Sequence, residues 1–533
     1  TDQFGAATPG PPYRVRPLSF WATAEELVQR LEDRSEGGGR WGDVVLTAAA
    51  DPDYWVVLSH PGTPVDPDDV PDPARTILVP TEPSEGTAAW TGPEAWTRPD
   101  PARFLQVRDR RRFPPVADWH LSAHATALDT APAVKTADLS AVVSGKHHDP
   151  GHRLRVAFVR HLEEHGVPID VYGFDNTHGF GGYRGALPVG AKDDGIVPYR
   201  YTLAAENHAE PGYVTEKLYD AVLGEAVAFY WGCPDVERHL DPRCVIRLPL
   251  DDLDASREIV VQALASDEWS ARIDAIRAER RRILQEAHLF PVLDRVVRGH
   301  RALLGADLRV VNLDRRPDRL AAFDQRFRAA AGDEVTDRVR RHPAVDGQAI
   351  ELTPEVRHLF RGNDHDYRRG IVGCALSHLD LWRQVAAGDR PAVVFEDDAE
   401  PVVGLGGLLV ELFARLGEVE PVPGVVLVGA HRYEPDPAAT VSPPGRAVDV
   451  VALDVDNYLG GTFGYVVTPT GARALLALAD RHGVQQGIDW FLRTHAAAVG
   501  VARMLPDLVT SELAWPGRSG DSDIQHDLTR LTT

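Results

Sequence analysis

Cysteine and methionine are scarce in this chain, with three Cys and one Met among 533 residues. Cys233, Cys244 and Cys374 provide neither a disulfide framework nor the spacing of a cysteine-based metal module. That excludes a stapled secreted scaffold and fits a reducing, cytoplasmic setting. Each reads as a small buried hydrophobe. Positive charge is also in deficit: 57 Lys and Arg face 79 Asp and Glu, a formal net charge of −22. A nucleic-acid partner is therefore not expected. No apolar run approaches the ~18 residues that cross a bilayer, and no secretory leader opens the chain. A membrane span is not expected either.

Short apolar runs punctuated by Pro- and Gly-rich loops and by helical periodicity indicate an α/β chain. The length exceeds one domain, and the pattern divides it into residues 1–130, 131–305 and 306–533. The most informative stretch runs from Tyr199 to Arg247. A strand-like run reaches Glu206-Asn207, a Pro-Gly loop follows, and a helix opens at Thr215-Glu216-Lys217. A second apolar run, Ala226 to Trp231, reads as a buried parallel strand. Strand, loop and a helix N-terminus bearing one lysine form a phosphate-binding shape. Thr215 is placed to cap the helix. Glu216 can accept from sugar hydroxyls, and Lys217 can neutralise a departing diphosphate.

Upstream, Phe20 to Leu31 reads as an amphipathic helix, and residues 43–47, 54–58 and 76–80 read as strands. The last delivers Glu82, with Glu85 close behind, to the sheet edge where open α/β folds bind ligands. A carboxylate there can take a proton from a hydroxyl. Trp90, Trp96 and Trp119 read as packing under a long loop. Residues 139–144 form a strand, and 154–165 a helix with Arg155 in its first turn. His147, His148 and Asp149 lie too close together on one loop to converge on an ion. Residues 254–304 read as helical, broken at Pro291.

The pattern Glu206-Asn207-x5-YVTEKLYDA, followed by FYWGCPDVERHLDP, resembles the donor segment of the α1,3/4-fucosyltransferases, glycosyltransferase family 10. The resemblance implies a two-lobed GT-B fold and inverting transfer from a GDP-sugar, usually GDP-fucose, without a metal. It places Glu206, Asn207, Tyr213, Thr215, Glu216 and Lys217 at the donor, with Arg155 on the diphosphate. Glu82 is the implied general base and Glu85 the fallback. Two departures, His208 after Asn207 and Arg200 where lysine is common, were expected near the donor pocket. They leave open a GDP-sugar other than fucose.

From Asp307 a second pattern begins. A strand over 308–313 leads into Asp314-Arg315-Arg316-Pro317-Asp318-Arg319, with proline in the first turn of a helix. Gly373-Cys374-Ala375-Leu376-Ser377-His378 lies in a later helix, and Val393-Val394-Phe395 ends in Glu396-Asp397-Asp398. Three carboxylates at a strand end either cap a helix or need a cation. A divalent ion bridging them to a diphosphate would answer the second case. With Gly460-Gly461-Thr462-Phe463-Gly464-Tyr465 and Gly487-Ile488-Asp489-Trp490, this set resembles glycosyltransferase family 25. The resemblance implies a GT-A fold, a UDP-sugar donor (commonly UDP-galactose), Mn²⁺ or Mg²⁺, and inversion. It makes Asp397 and Asp398 the metal ligands with Glu396 flanking, Asn312 and Arg315 nucleoside contacts, and Asp489 the general base. His378 reads as a structural hydrogen-bonder, and residues 511–533 as a lid or loose tail.

Three readings follow. The first is a bifunctional transferase acting on a glycan, lipid-linked or small-molecule glycoside acceptor, with consecutive action on one glycan as its extension. The second keeps one half active beside an acceptor-binding or structural module. The third is a non-catalytic sugar-binding protein.

Overall fold

The computed structural model describes residues 11–60, 70–84, 99–512 and 529–531. Glu85, Trp90, Trp96 and most of the C-terminal tail lie outside these residues. Three sheets organise the chain. The first has six strands in the order Arg40–Trp41, Val44–Leu46, Tyr13–Ser19, Tyr54–Leu58, Thr76–Val79 and Gln106–Val107. All its pairings are parallel except the hairpin between the first two. The second sheet is parallel throughout, in the order Val245–Arg247, Val227–Trp231, Tyr199–Ala205, Ala137–Val142, Asp170–Gly173 and Tyr183–Ala186. The third is a seven-stranded mixed sheet. In it Asp307–Asn312 lies between Val339–Pro343 and Ala392–Glu396, parallel to both.

Strand Tyr13–Ser19, central to the first sheet, has no counterpart in the sequence reading. Arg14, Arg16 and Pro17 mask it, because proline is excluded from strands paired on both sides. The register removes the objection. The pairing with Val44–Leu46 ends at Val15, and beyond it only the Tyr54–Leu58 side is bonded. The expected helix after it shortens to Ala24–Leu31, fixed by a reciprocal capping box between Thr23 and Glu26.

The first two sheets each reverse direction of winding once, and the third first does so beside its opening strand. The reversals lie between Tyr13–Ser19 and Tyr54–Leu58, between Ala137–Val142 and Tyr199–Ala205, and between Asp307–Asn312 and Ala392–Glu396. At such points the loops leave the carboxyl edge in opposite directions and open a crevice. All the candidate chemistry sits at these three edges.

The helical region differs from expectation in one place. Helices Leu253–Ala265, Glu268–Arg282 and Leu289–Gly305 are interrupted by a widened turn over Ile283–Ala287 and by extended backbone at His288. Pro291 instead lies in the first turn of the last helix, where its missing N–H has no intrahelical partner to lose. That helix packs against Leu405–Leu416 of the third unit. The approach is close: a Cβ on Gly299 would lie 2.2 Å from the Val410 carbonyl. Buried Glu411 then accepts from Gln106 (3.1 Å) and Arg108 (2.9 Å) of the first sheet and from Arg295 (3.3 Å). One apolar core accordingly joins Val15, Val56 and Ile77 to Leu293, Val297, Phe327 and Leu409.

Candidate active sites

The second sheet's reversal delivers Glu206 and Asn207 from Tyr199–Ala205. Glu206 is fully buried. Its carboxylate accepts from the Thr215 N–H (2.9 Å) and the Thr215 hydroxyl (2.5 Å), and Lys217 Nζ lies 3.6 Å away. Thr215 stands at the N-cap of Glu216–Leu223, yet its side chain makes no capping bond. The hydroxyl is spent on Glu206, so this threonine ties helix to strand instead of capping, contrary to the sequence reading. Burial pushes the Glu206 carboxyl up, with Lys217 opposing. Burial alone would also raise Glu216, but Lys217 and Lys192, each 3.3 Å from Oε1, hold it well below the usual carboxylate range. Lys192 also donates to buried Asp220 at 2.8 Å.

Arg155 lies in the second helical turn, not the first. The helix begins at Pro150, behind an Asp149–His152 capping box. Its Nη2 donates to the Ala205 carbonyl (2.7 Å) and contacts Asn207 Oδ1 (3.4 Å). Gly151 makes this docking possible, because a Cβ there would lie 1.7 Å from the Glu206 carbonyl oxygen. Arg155, Asn207, Glu216 and Lys217 line one cavity of about 320 Å³ at the switch point. Glu82, Asn207, Tyr213, Thr215, Glu216 and Lys217 line a second, of about 530 Å³, between the first two sheets. The lobes meet across Arg110, which donates to the Glu82 carbonyl, stacks 4.9 Å over Tyr213 and pairs with Glu210 at 3.6 Å.

His208 pairs with Asp149 at 3.5 Å near this site. Arg200 does not belong to it. It sits at the opposite end of its strand, over Trp269 and 3.6 Å from Asp138. Trp119 is buried beneath Arg34, as a packing residue would be. Lys192, Asp220 and Arg110 were not singled out in sequence. Only Asp220 left a signal, four residues after Glu216 on one helix face.

In the third sheet, the reversal brings Asn312 and the Glu396-Asp397-Asp398 run together. Asp397 uses both oxygens: Oδ1 lies 2.5 Å from Arg319, and Oδ2 accepts from Asn312 at 2.7 Å. Asn312 also donates to the Arg316 carbonyl and accepts from Arg341, both at 2.9 Å, so its amide serves to fix Asp397. Asp398 accepts from Ser511 at 3.1 Å and lies 3.7 Å from Arg319. Its Oδ1 is buried without a hydrogen-bond partner among the described residues. Burial, then Glu396, push the Asp398 carboxyl up to about 6 against the pull of Arg319. The donor set therefore fits a divalent ion at Asp398. At Asp397 it does not, since Arg319 already supplies the positive charge. Arg319 was overlooked in sequence, although the DRRPDR run that carries it follows the neighbouring parallel strand.

Glu396 accepts from Thr462 at 2.5 Å and lies 3.3 Å from His378 Nε2. Burial would raise it, but His378 and Thr462 pull it below its usual value. Asp489, second residue of Ile488–Thr494, accepts from the N–H groups of Trp490 (2.8 Å) and Gly461 (3.4 Å). Burial raises its carboxyl, with a further push from Glu396. Arg315 pairs with Asp346 at 3.0 Å on the rim. Asn312, Arg315, Glu396, Asp397 and Asp398 line a cavity of about 100 Å³.

Two family models match these regions. Residues 133–266 match glycosyltransferase family 10 (fucosyltransferase), C-terminal part, and residues 307–401 match glycosyltransferase family 25 (LPS biosynthesis protein). Two segments of the chain are thus similar to two different glycosyltransferase families. Protein R655 of Acanthamoeba polyphaga mimivirus, whose name assigns it provisionally to the glycosyltransferases, is 28% identical over 237 residues, covering 42% of this chain and 68% of R655. Procollagen galactosyltransferase 2 of Homo sapiens is 29% identical over 195 residues, 34% of this chain and 29% of its own length. The inactive glycosyltransferase 25 family member 3 of Homo sapiens is 27% identical over 174 residues, 32% and 28% respectively. A crystal structure of an α1,3-fucosyltransferase with GDP aligns at 15% identity and a TM-score of 0.32, over 54% of this chain and 95% of that one. The chain thus spans two thirds of R655 and under a third of each human relative. Both matched families place it among the glycosyltransferase enzymes.

Proposed function

We propose that the chain is a bifunctional inverting glycosyltransferase. Residues 1–305 form a GT-B-like unit that takes a GDP-sugar, fucose or a relative. Residues 306–533 form a GT-A-like unit that takes a UDP-sugar, galactose or a related hexose. The carrying observation is that two separate switch-point cavities differ in chemistry: Arg155, Lys192 and Lys217 line one, and Glu396, Asp397 and Asp398 line the other.

In the first unit, Glu82 accepts the proton of the acceptor hydroxyl, whose oxygen attacks the anomeric carbon from the face opposite the diphosphate. The C–O bond to the nucleotide diphosphate breaks as the new one forms, so configuration inverts. Arg155 and Lys217 stabilise the charge that grows on the leaving group; such oriented donors contribute ~3–4 kcal/mol each. In the second unit, Asp489 is the base, its raised carboxyl suited to receiving a proton. Mn²⁺ or Mg²⁺ held at Asp398 would supply positive charge to the departing diphosphate. Arg319 fixes Asp397 beside it. The acceptor is a glycan, a lipid-linked glycan or a small-molecule glycoside.

A donor screen by mass spectrometry on the full chain, with and without EDTA, tests this reading. GDP-sugar turnover should survive chelation and UDP-sugar turnover should stop. If neither donor class is turned over or hydrolysed, the reading fails. A second reading, a catalytic first half beside a non-catalytic second, is favoured by the Arg319–Asp397 pair and by the relative named inactive. It predicts GDP-sugar turnover alone.

A further inference from the structure

Beneath the third cavity lies a trio that sequence spacing did not suggest. Cys374 and His378 stand four residues apart on the helix Arg369–Ala387, hence on one face. Gly373 lies on the adjoining face, where a Cβ would come 2.8 Å from the Val345 carbonyl oxygen. The Cys374–His378 face meets Glu396 at the end of Ala392–Glu396. The ligand-capable atoms of Cys374, His378 and Glu396 all lie within 4.8 Å of one another. His378 is 0% exposed, and its Nε2 makes no aligned hydrogen bond. That nitrogen lies 3.3 Å from Glu396 Oε1, a spacing that two ligands of one tetrahedral ion adopt.

We propose that Cys374, His378 and Glu396 form a binding site for a thiophilic divalent ion of the zinc class. One thiolate, one imidazole and one carboxylate are a zinc-type ligand set, and the thiolate disfavours Mg²⁺. The surrounding groups suit the task. Tyr465 Oη, which accepts from Trp382 Nε1 at 3.1 Å, lies 2.8 Å from His378 Nδ1. It can accept the Nδ1–H and leave the Nε2 lone pair for the ion, the usual outer partner of a ligating histidine. Thr462 orients Glu396 from the other side. All three ligands line the cavity that also holds the unpaired Asp398 Oδ1, so the fourth position opens toward the diphosphate region. Binding displaces the Cys374 thiol proton, so affinity rises with pH. The identity of the fourth ligand rests on the C-terminal reading above; the three protein ligands do not.

The test is a Co²⁺ titration of the chelator-stripped full chain, followed by Zn²⁺ displacement and metal analysis. One equivalent should bind with a thiolate-to-cobalt charge-transfer band and tetrahedral visible bands that Zn²⁺ abolishes, distinct from any colour-poor binding at Asp398. Cys374→Ser, a partly exposed and near-isosteric change, should lose the charge-transfer band. Tyr465→Phe should keep the band but weaken binding by about 10–100-fold. Cys233→Ser is the control: its thiol already donates to Asp235 at 3.0 Å, and the band should persist. No band in the wild type, or a band that survives Cys374→Ser, overturns the proposal. The spectrum needs no turnover: a band without UDP-sugar turnover leaves the site standing and the transferase reading wrong, and turnover without a band does the reverse.

Discussion

Asp398→Asn should stabilise the folded chain at neutral pH while abolishing UDP-sugar turnover. Asp398 faces Glu396 and Asp397 with Arg319 only 3.7 Å away as relief, and its carboxyl is pushed from 3.8 to about 6. At ~1.36 kcal/mol per unit, that is about 3 kcal/mol of strain when the group is ionised. However, 41% of its side chain still meets solvent, and screening reduces the figure to about 1–1.5 kcal/mol. The folded state holds this proton more tightly than the unfolded chain does. The favourable contribution is therefore complete below pH 3.8 and lost as pH rises through about 6. Asparagine keeps an acceptor for Ser511 and carries no charge at any pH. Thermal unfolding of the metal-free full chain at pH 7.5 and near pH 3.8 reads the effect. The variant should gain about 1 °C at the higher pH and nothing at the lower. Mn²⁺ should narrow the gap by stabilising only the wild type. An equal gain at both pH values, or a loss at pH 7.5, would refute the electrostatic argument.

Lys217→Ala should lower kcat for the GDP-sugar by about 10²–10³-fold and leave UDP-sugar turnover intact, since the two cavities share no residue. Arg319→Met should leave Asp397 and Asp398 without their nearest cation; denaturant unfolding should show a loss on the order of 3–5 kcal/mol, partly recovered by added Mn²⁺. Gly151→Ala places a Cβ 1.7 Å from the Glu206 carbonyl oxygen, so the helix Pro150–Glu164 must move and carry Arg155 with it. The expected cost is about 1–3 kcal/mol of stability, with a raised KM for the GDP-sugar.

Short-range patterns were legible in the sequence because local physics dictates them. The strands Tyr54–Leu58 and Thr76–Val79, the helix opening after Thr215 and the proline at the start of Pro317–Thr336 follow from short continuous apolar runs, helix-start residues and fixed φ. Strand Tyr13–Ser19 was not legible. Whether Pro17 is tolerated depends on which neighbour pairs beside it, and that is a property of the register. Thr215 shows the same limit within a motif: its position is a cap, but the nearby Glu206 carboxylate is the better acceptor for its hydroxyl.

The sequence alone determined that carboxylates end one strand, that a lysine opens one helix, and that Glu396-Asp397-Asp398 must either cap a helix or meet a cation. Only the tertiary structure decided which cation. Asp307–Asn312 and Ala392–Glu396 are parallel neighbours, so the helix after the first strand carries Arg319 onto the carboxylates at the end of the second. The pairing of Cys374 and His378 with Glu396 was decided in the same way. Charges act through space, and chain separation says nothing about distance until the sheet is assembled.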